Sequence, residues 1–300
     1  MTTILKIFNY SKKYLSKYWF IEVFKIFSGQ KRLHSKILNI LGFQPLRAWI
    51  AFKIKEKNKK SIIVDISKSI QTQMNENGYV KIENALKDNQ EFTDLRKECK
   101  NAFENHPSRN YVDNKDACYI WIKLNPKELI YYPKIKRFLN SDLMNLFHNM
   151  SIYNQCQKIR FNEISINLHR VWTKKGVAKE SNQELHTDIF YPSTKGWLYL
   201  DNVNNNEGPL VYVPKSNRID SWRLKFEYKS SLFSHNQSGS WRLPKEDFKY
   251  QFNNEKSFSV KSNTMIIADT MGFHRRGETI DDRPRDTIHF YIRKSPFNFY

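Results

Sequence analysis

Apolar and polar residues alternate along much of the second half of the chain. "KIRFNEISINLHRVW" (158–172), "GWLYLDNV" (196–203), "PLVYVP" (209–214), "SFSVKS" (257–262), "TMIIAD" (264–269) and "DTIHFYIR" (286–293) are short runs rich in β-branched and aromatic residues. Turn residues separate them, among them Asn204–Asn206, Gly208-Pro209 and Asp281-Asp282 before Pro284. A period of two sends successive side chains to opposite faces of a strand. Many such strands at this spacing predict a sandwich, barrel or jelly roll. The first half has a helical texture. Residues 61–86 predict a helix and then a strand at Tyr79–Ile82, while "QEFTDLRKECKNAF" (90–103) and "PKIKRFLNSDLMNLFHNM" (133–150) each predict one helix. The expected class is mainly β with flanking helices.

Residues 1–60 predict basic amphipathic helices. "YWFIEVFKIF" (18–27) gathers Trp19, Phe20, Val23, Phe24 and Phe27 near one face, and "ILNILGFQPLRAWIAFKIK" (37–55) is a second such stretch, broken near Gly42 and Pro45. "KEKNKK" (55–60) reads as an exposed hinge. The expected organisation is therefore a basic helical extension over 1–60 and a main domain over 61–300. Within the latter, the aromatic and weakly periodic stretch 219–256 reads as an insertion able to close a cavity.

Charge sharpens that division. The chain of 300 residues carries a formal net charge of +20. Residues 1–60 hold fourteen Lys or Arg against Glu22 and Glu56, so most of the excess sits in the extension. Peripheral contact with an anionic membrane is one reading of that segment. A helical prefix packed on the main domain is the other. Nucleic acid is not an expected partner, since no helix-turn-helix, zinc or RNP signal accompanies the charge. Cys99, Cys118 and Cys156 are odd in number and far apart, with no zinc spacing, which fits a reducing, cytoplasmic setting. No run of 18 uncharged apolar residues is present.

The candidate chemistry lies in "QELHTDIFYP" (183–192). On a strand, His186 and Asp188 project to one face. An HxD pair arises by chance about 0.4 times in a chain with this many histidines, so the pair alone identifies nothing. It gains meaning from "MIIADTMGFHRRGETIDDRPRDTIHFYIR" (265–293), where His274 follows a strand and Arg285 opens the next. Two imidazoles and one carboxylate on one face of a metal suit Fe(II) and leave positions open for other ligands. Arg285, Thr287, His289 and Tyr291 alternate onto one face. A guanidinium fork there suits the distal carboxylate of a dicarboxylic acid, with Thr287 adding a hydroxyl. Arg276 and Arg283 compete with Arg285 for that role. Trp197, Tyr199 and Tyr191 are candidate pocket walls, as are His169 and His289.

These residues carry a resemblance. "GYVKIENAL" (78–86), "HTD" (186–188) with "GWLYLDNVNNNEGPLVYVPKSNR" (196–218), and "FHRRG…RPR" (273–285) are together similar to the phytanoyl-CoA dioxygenase family of Fe(II)/2-oxoglutarate oxygenases. The similarity spans about residues 75–295. It implies a double-stranded β-helix (jelly-roll) core, iron on His186, Asp188 and His274, and 2-oxoglutarate anchored by Arg285. It further implies O2 as co-substrate, release of succinate and CO2, and hydroxylation of a C–H bond in a small-molecule, lipid or sugar substrate. Asp188 is present where halogenating relatives carry a small residue, which favours hydroxylation. Lys215 stands where the family often has a glycine, and residues 1–60 have no counterpart. A jelly-roll binding protein without catalysis is the alternative reading.

Overall fold

The structure, a computed structural model, describes residues 25–107, 109–113, 117–173, 184–233, 241–243, 254–280 and 283–297. Most of "YWFIEVFKIF" and parts of 219–256 lie outside the described residues. Helices α1 (Lys36–Ile40), α2 (Phe43–Lys59) and α3 (Lys68–Asn77) precede strand β1 (Tyr79–Ile82), which falls where the sequence predicts it. Helix α4 (Asn89–Asn105), strands β2 (Asn110–Asp113) and β3 (Ala117–Lys123), and helices α5 (Pro133–Leu139) and α6 (Asp142–Gln155) follow. Next come β4 (Ser165–Thr173), β5 (His186–Thr187), β6 (Thr194–Tyr199), β7 (Leu210–Tyr212), α7 (Ser221–Phe233), β8 (Trp241–Arg242), β9 (Lys256–Phe258), β10 (Thr264–Asp269), β11 (His274–Arg276) and β12 (Arg285–Ile292).

Two antiparallel sheets face each other. The larger has the order β1-β10-β6-β12-β4-β3-β2, the smaller β8-β5-β11-β7-β9. The chain changes sheet at every step from β4 to β7 and again from β9 to β12, which is the winding of a jelly roll. Strand β12 shows how the layers divide. Its even-numbered residues Ile288 and Phe290 join a core with Phe138, Phe147, Leu95 and Phe103 of the helices. Its odd-numbered residues face the space between the sheets, opposite Tyr199, Trp197 and Lys195 of β6. Gly196 lets α6 approach: a Cβ there would lie 2.9 Å from the Phe147 ring.

Three local expectations change. The single helix over 133–150 is two, because Ser141 accepts a hydrogen bond from Met144 N and starts α6 afresh. The basic run 55–60 is no hinge: α2 continues to Lys59, with Lys57 and Lys59 in the last turn, where helix carbonyls favour cations. The break near Gly42 is real (φ 79°), but Pro45 sits inside the first turn of α2, where its missing N–H costs nothing.

The described part of the extension is packed, not detached. Ala48 and Ala51, flanked by Ile50 and Ile54, meet Ile189, Phe190, Tyr191 and Phe297. Arg47 is fully buried, its guanidinium 4.0 Å from the Phe190 ring centroid, and donates to the carbonyls of Ser28 (2.9 Å) and Gln30 (2.5 Å). Helix α7 lies on α2, joined by Gln44 donating to Glu227 (3.0 Å), which also pairs with Arg223 (3.1 Å). All three cysteines are buried, and none is in a disulfide. No described helix is long and apolar enough to cross a membrane.

Candidate metal centre

Strands β5 and β11 are antiparallel neighbours, and His186 stands directly opposite His274. Directly opposed residues share a face, so the two rings meet, 4.6 Å between centroids. Asp188 lies just past the end of β5, held by its N–H donating to Thr270 O (3.0 Å). The three candidate ligand atoms of His186, Asp188 and His274 all lie within 4.8 Å of one another. His274 Nε2 is 3.8 Å from Asp188 Oδ2.

Both imidazoles are oriented in the same way. His186 Nδ1 donates to Glu184 O at 2.8 Å and His274 Nδ1 to Gly272 O at 2.9 Å, each two residues back. A ring tied at Nδ1 presents the Nε2 lone pair, the arrangement that outer partners impose on metal-bound histidine. Burial, and then the neighbouring His274, pushes His186 down to about 3; burial also lowers His274. Both rings are therefore neutral, the form that binds metals. Burial works to raise the Asp188 carboxyl, but Lys195, His274 and Arg293 outweigh it and hold it well below the usual range. One carboxylate and two neutral imidazoles form an N2O donor set that fits a non-haem Fe(II) centre.

The inner face of the larger sheet forms the rest of the cavity. His289 stands opposite Trp197 of β6 and Asn167 of β4, and Thr287 opposite Tyr199 and His169. Trp121 meets both His169 (4.6 Å) and His289 (5.3 Å). Burial drives both histidines well below their ordinary pKa, so they are uncharged walls. Arg285 donates to Gly208 O and lies by Tyr199. Thr287 shares that wall, its hydroxyl donating to His169 O at 3.3 Å. Of the competing arginines, Arg283 is exposed and pairs with Glu207 (3.2 Å). Arg276 is buried beside Arg285, two residues after His274 and on its face.

Other expectations are redistributed. Tyr191 packs under the extension, donating to Gly29 O at 3.3 Å. In the stretch expected to close the cavity, α7 is a docked helix whose Trp222 and Phe226 pack on Phe273, beside His274. Strand β8 from the same stretch pairs with β5, Arg242 opposite His186. Lys195 and Arg293, missing from the sequence reading, reach Asp188 Oδ2 at 2.5 and 3.1 Å. No local motif marks either residue; only the alternation of β6, which puts Lys195 on the face of Trp197 and Tyr199, hinted at the first.

No family model matches the sequence, and no curated protein matches it. Solved structures align with the fold. One is the epimerase SnoN in complex with Fe3+, alpha-ketoglutarate and nogalamycin RO (12% identity, 74% of this chain and 81% of that one, TM-score 0.49). Another is the alpha-ketoglutarate-dependent carbocyclase SnoK from nogalamycin biosynthesis (15%, 76% and 84%, 0.48). A third is HygX from Streptomyces hygroscopicus with nickel and 2-oxoglutarate bound (13%, 75% and 86%, 0.46).

Proposed function

We propose that this protein is a non-haem Fe(II)- and 2-oxoglutarate-dependent dioxygenase that hydroxylates a C–H bond of a small-molecule, lipid or sugar substrate. The observation that carries the reading is the convergence of His186, Asp188 and His274, with both Nδ1 atoms tied back to backbone carbonyls. When bound, the iron supplies dioxygen activation coupled to decarboxylation of 2-oxoglutarate to succinate and CO2. The chain's own part is placement. Arg285 is a half-buried guanidinium on the inward face of β12; among the described residues Gly208 O takes one of its five N–H donors, leaving others for the distal carboxylate of 2-oxoglutarate. Thr287 borders the same end. Trp121, Trp197, His169 and His289 wall the intervening space with uncharged rings, keeping water out.

Calorimetric titration tests the reading. Wild-type protein should bind Fe(II), or Ni(II) as a redox-inert substitute, and then 2-oxoglutarate. His186→Ala or His274→Ala should weaken metal binding about 100-fold or more, and Arg285→Ala should weaken 2-oxoglutarate about 100-fold while sparing the metal. A chain that binds neither would be a jelly-roll binding protein instead. Peripheral contact with anionic lipid is a second proposal, favoured by exposed Ile40, Leu41, Leu46 and Trp49 on and between α1 and α2, with Lys53 over the Trp49 ring. Its check is flotation with vesicles of anionic lipid.

A further inference from the structure

The inner face of β4 and β12 carries polar groups that the metal centre does not use. Asn167 and His289 stand directly opposite each other on the two strands, so their side chains share that face. Both are buried, Asn167 2% and His289 5% exposed. Asn167 Nδ2 and His289 Nδ1 are nonetheless without a hydrogen-bond partner among the described residues. Buried polar groups are ordinarily satisfied, and leaving a donor or acceptor unpaired costs free energy. Two such atoms side by side on a cavity wall point to a ligand that completes them.

The surroundings narrow the ligand's chemistry. Trp197 of β6 is the other cross-strand neighbour of His289, 5.6 Å between ring centroids, and Trp121 of β3 lies 5.3 Å from the same ring. His169 is 6.2 Å from His289 and 4.6 Å from Trp121, and adds a second imidazole. Burial keeps both imidazoles neutral. Lys195, two residues along β6 from Trp197, is already taken up by Asp188 (2.5 Å). A charged ligand group would exchange water for uncharged partners here, which is unfavourable. A hydroxyl fits: it accepts from the amide N–H, and it donates to a bare ring nitrogen or accepts from a protonated one. One amide and two imidazoles offer such bonds to several hydroxyls at once, while the indoles cover the C–H surface between them.

This site is separate from the one assigned to the distal carboxylate of 2-oxoglutarate. Arg285 and His289 are four residues apart on β12, about 13 Å along an extended chain. We infer that the substrate is a neutral, polyhydroxylated ring of the sugar or cyclitol class, whose hydroxyls bond Asn167 and His289 against Trp121 and Trp197. Naming this ligand the substrate rests on the oxygenase reading; the hydroxyl site itself does not.

The test is calorimetry with methyl β-D-glucopyranoside and with myo-inositol as probes, on Ni(II)-loaded protein saturated with 2-oxoglutarate and on metal-free protein. Saturable binding of at least one probe is expected, weakened about tenfold or more by Asn167→Leu and by His289→Phe, which keep the bulk and remove the polar atoms. Asn167→Leu should melt no lower than wild type, because it removes an unpaired buried amide and no structural bond, and it should leave the Ni(II) and 2-oxoglutarate affinities within about threefold. No saturable binding of either probe, unchanged probe affinity in both variants, a marked fall in the melting temperature of Asn167→Leu, or simple competition between probe and 2-oxoglutarate would each overturn the proposal. If Ni(II) and 2-oxoglutarate fail to bind but the probe still depends on Asn167 and His289, the oxygenase reading falls and the hydroxyl site stands.

Discussion

At the scale of single residues, the centre depends on two backbone carbonyls as much as on three side chains. Gly272 supplies one of them. A Cβ on Gly272 would lie 2.0 Å from the Tyr212 hydroxyl oxygen, and Tyr212 is fully buried with its hydroxyl donating to Asp269 O (2.8 Å). Gly272→Ala must therefore move either the ring or the backbone whose carbonyl orients His274. Metal affinity should fall roughly tenfold in a Ni(II) titration, though no ligand is altered. An unchanged affinity would mean that the carbonyl does not fix the ring. The candidate ligands were legible in the sequence: His186 and Asp188 by their local spacing, His274 by its place after a strand and by the family resemblance. Lys195 and Arg293, which reach Asp188, were not: they come from two separated segments, and charge on an isolated residue ordinarily reads as surface.

At the scale of elements, legibility followed the number of faces an element buries. Strand β10 lies wholly inside, every residue buried, and its continuous apolar run was plain. Helix α7 was hidden because it buries Arg223 and Glu227 as an internal pair, so its periodicity reads as weakly polar on all sides. Strand β5, which carries His186, is only two residues long, and Asp188 keeps its orientation through its bond to Thr270 rather than by strand pairing. Strand β12 carries a comparable hidden charge. Asp286 is fully buried on the helix side, bonded by Arg170 (2.8 Å) from β4 and by Lys100 (2.6 Å) from α4. Asp286→Ala should cost about 3 kcal/mol by urea denaturation, since it leaves two cations short of a partner. A loss below about 1 kcal/mol would show that Glu104 and Asp201 take over both cations.

At the scale of the whole molecule, the extension and the barrel share one boundary. The sequence pattern showed that residues 37–55 have an apolar side, but could not show what covers it; the structure gives Ile189, Phe190, Tyr191 and Phe297 that place. Deleting residues 1–60 would strip this patch and remove the Gln44 partner of Glu227. Each large apolar side chain returned to water costs about 1.5–3 kcal/mol, so the truncated chain should lose at least about 3 kcal/mol of stability in a denaturant titration. An equal midpoint for the two chains would mean that the boundary contributes little.

The sharing of Asp188 by Lys195 and Arg293 has a thermodynamic corollary. A dication entering beside them competes with an ammonium and a guanidinium for one carboxylate oxygen. Metal and cations are thereby linked through Asp188, each loosening the other's hold on it by the same factor. How tightly the pocket takes a metal then depends on its surrounding charge as well as on its three donors.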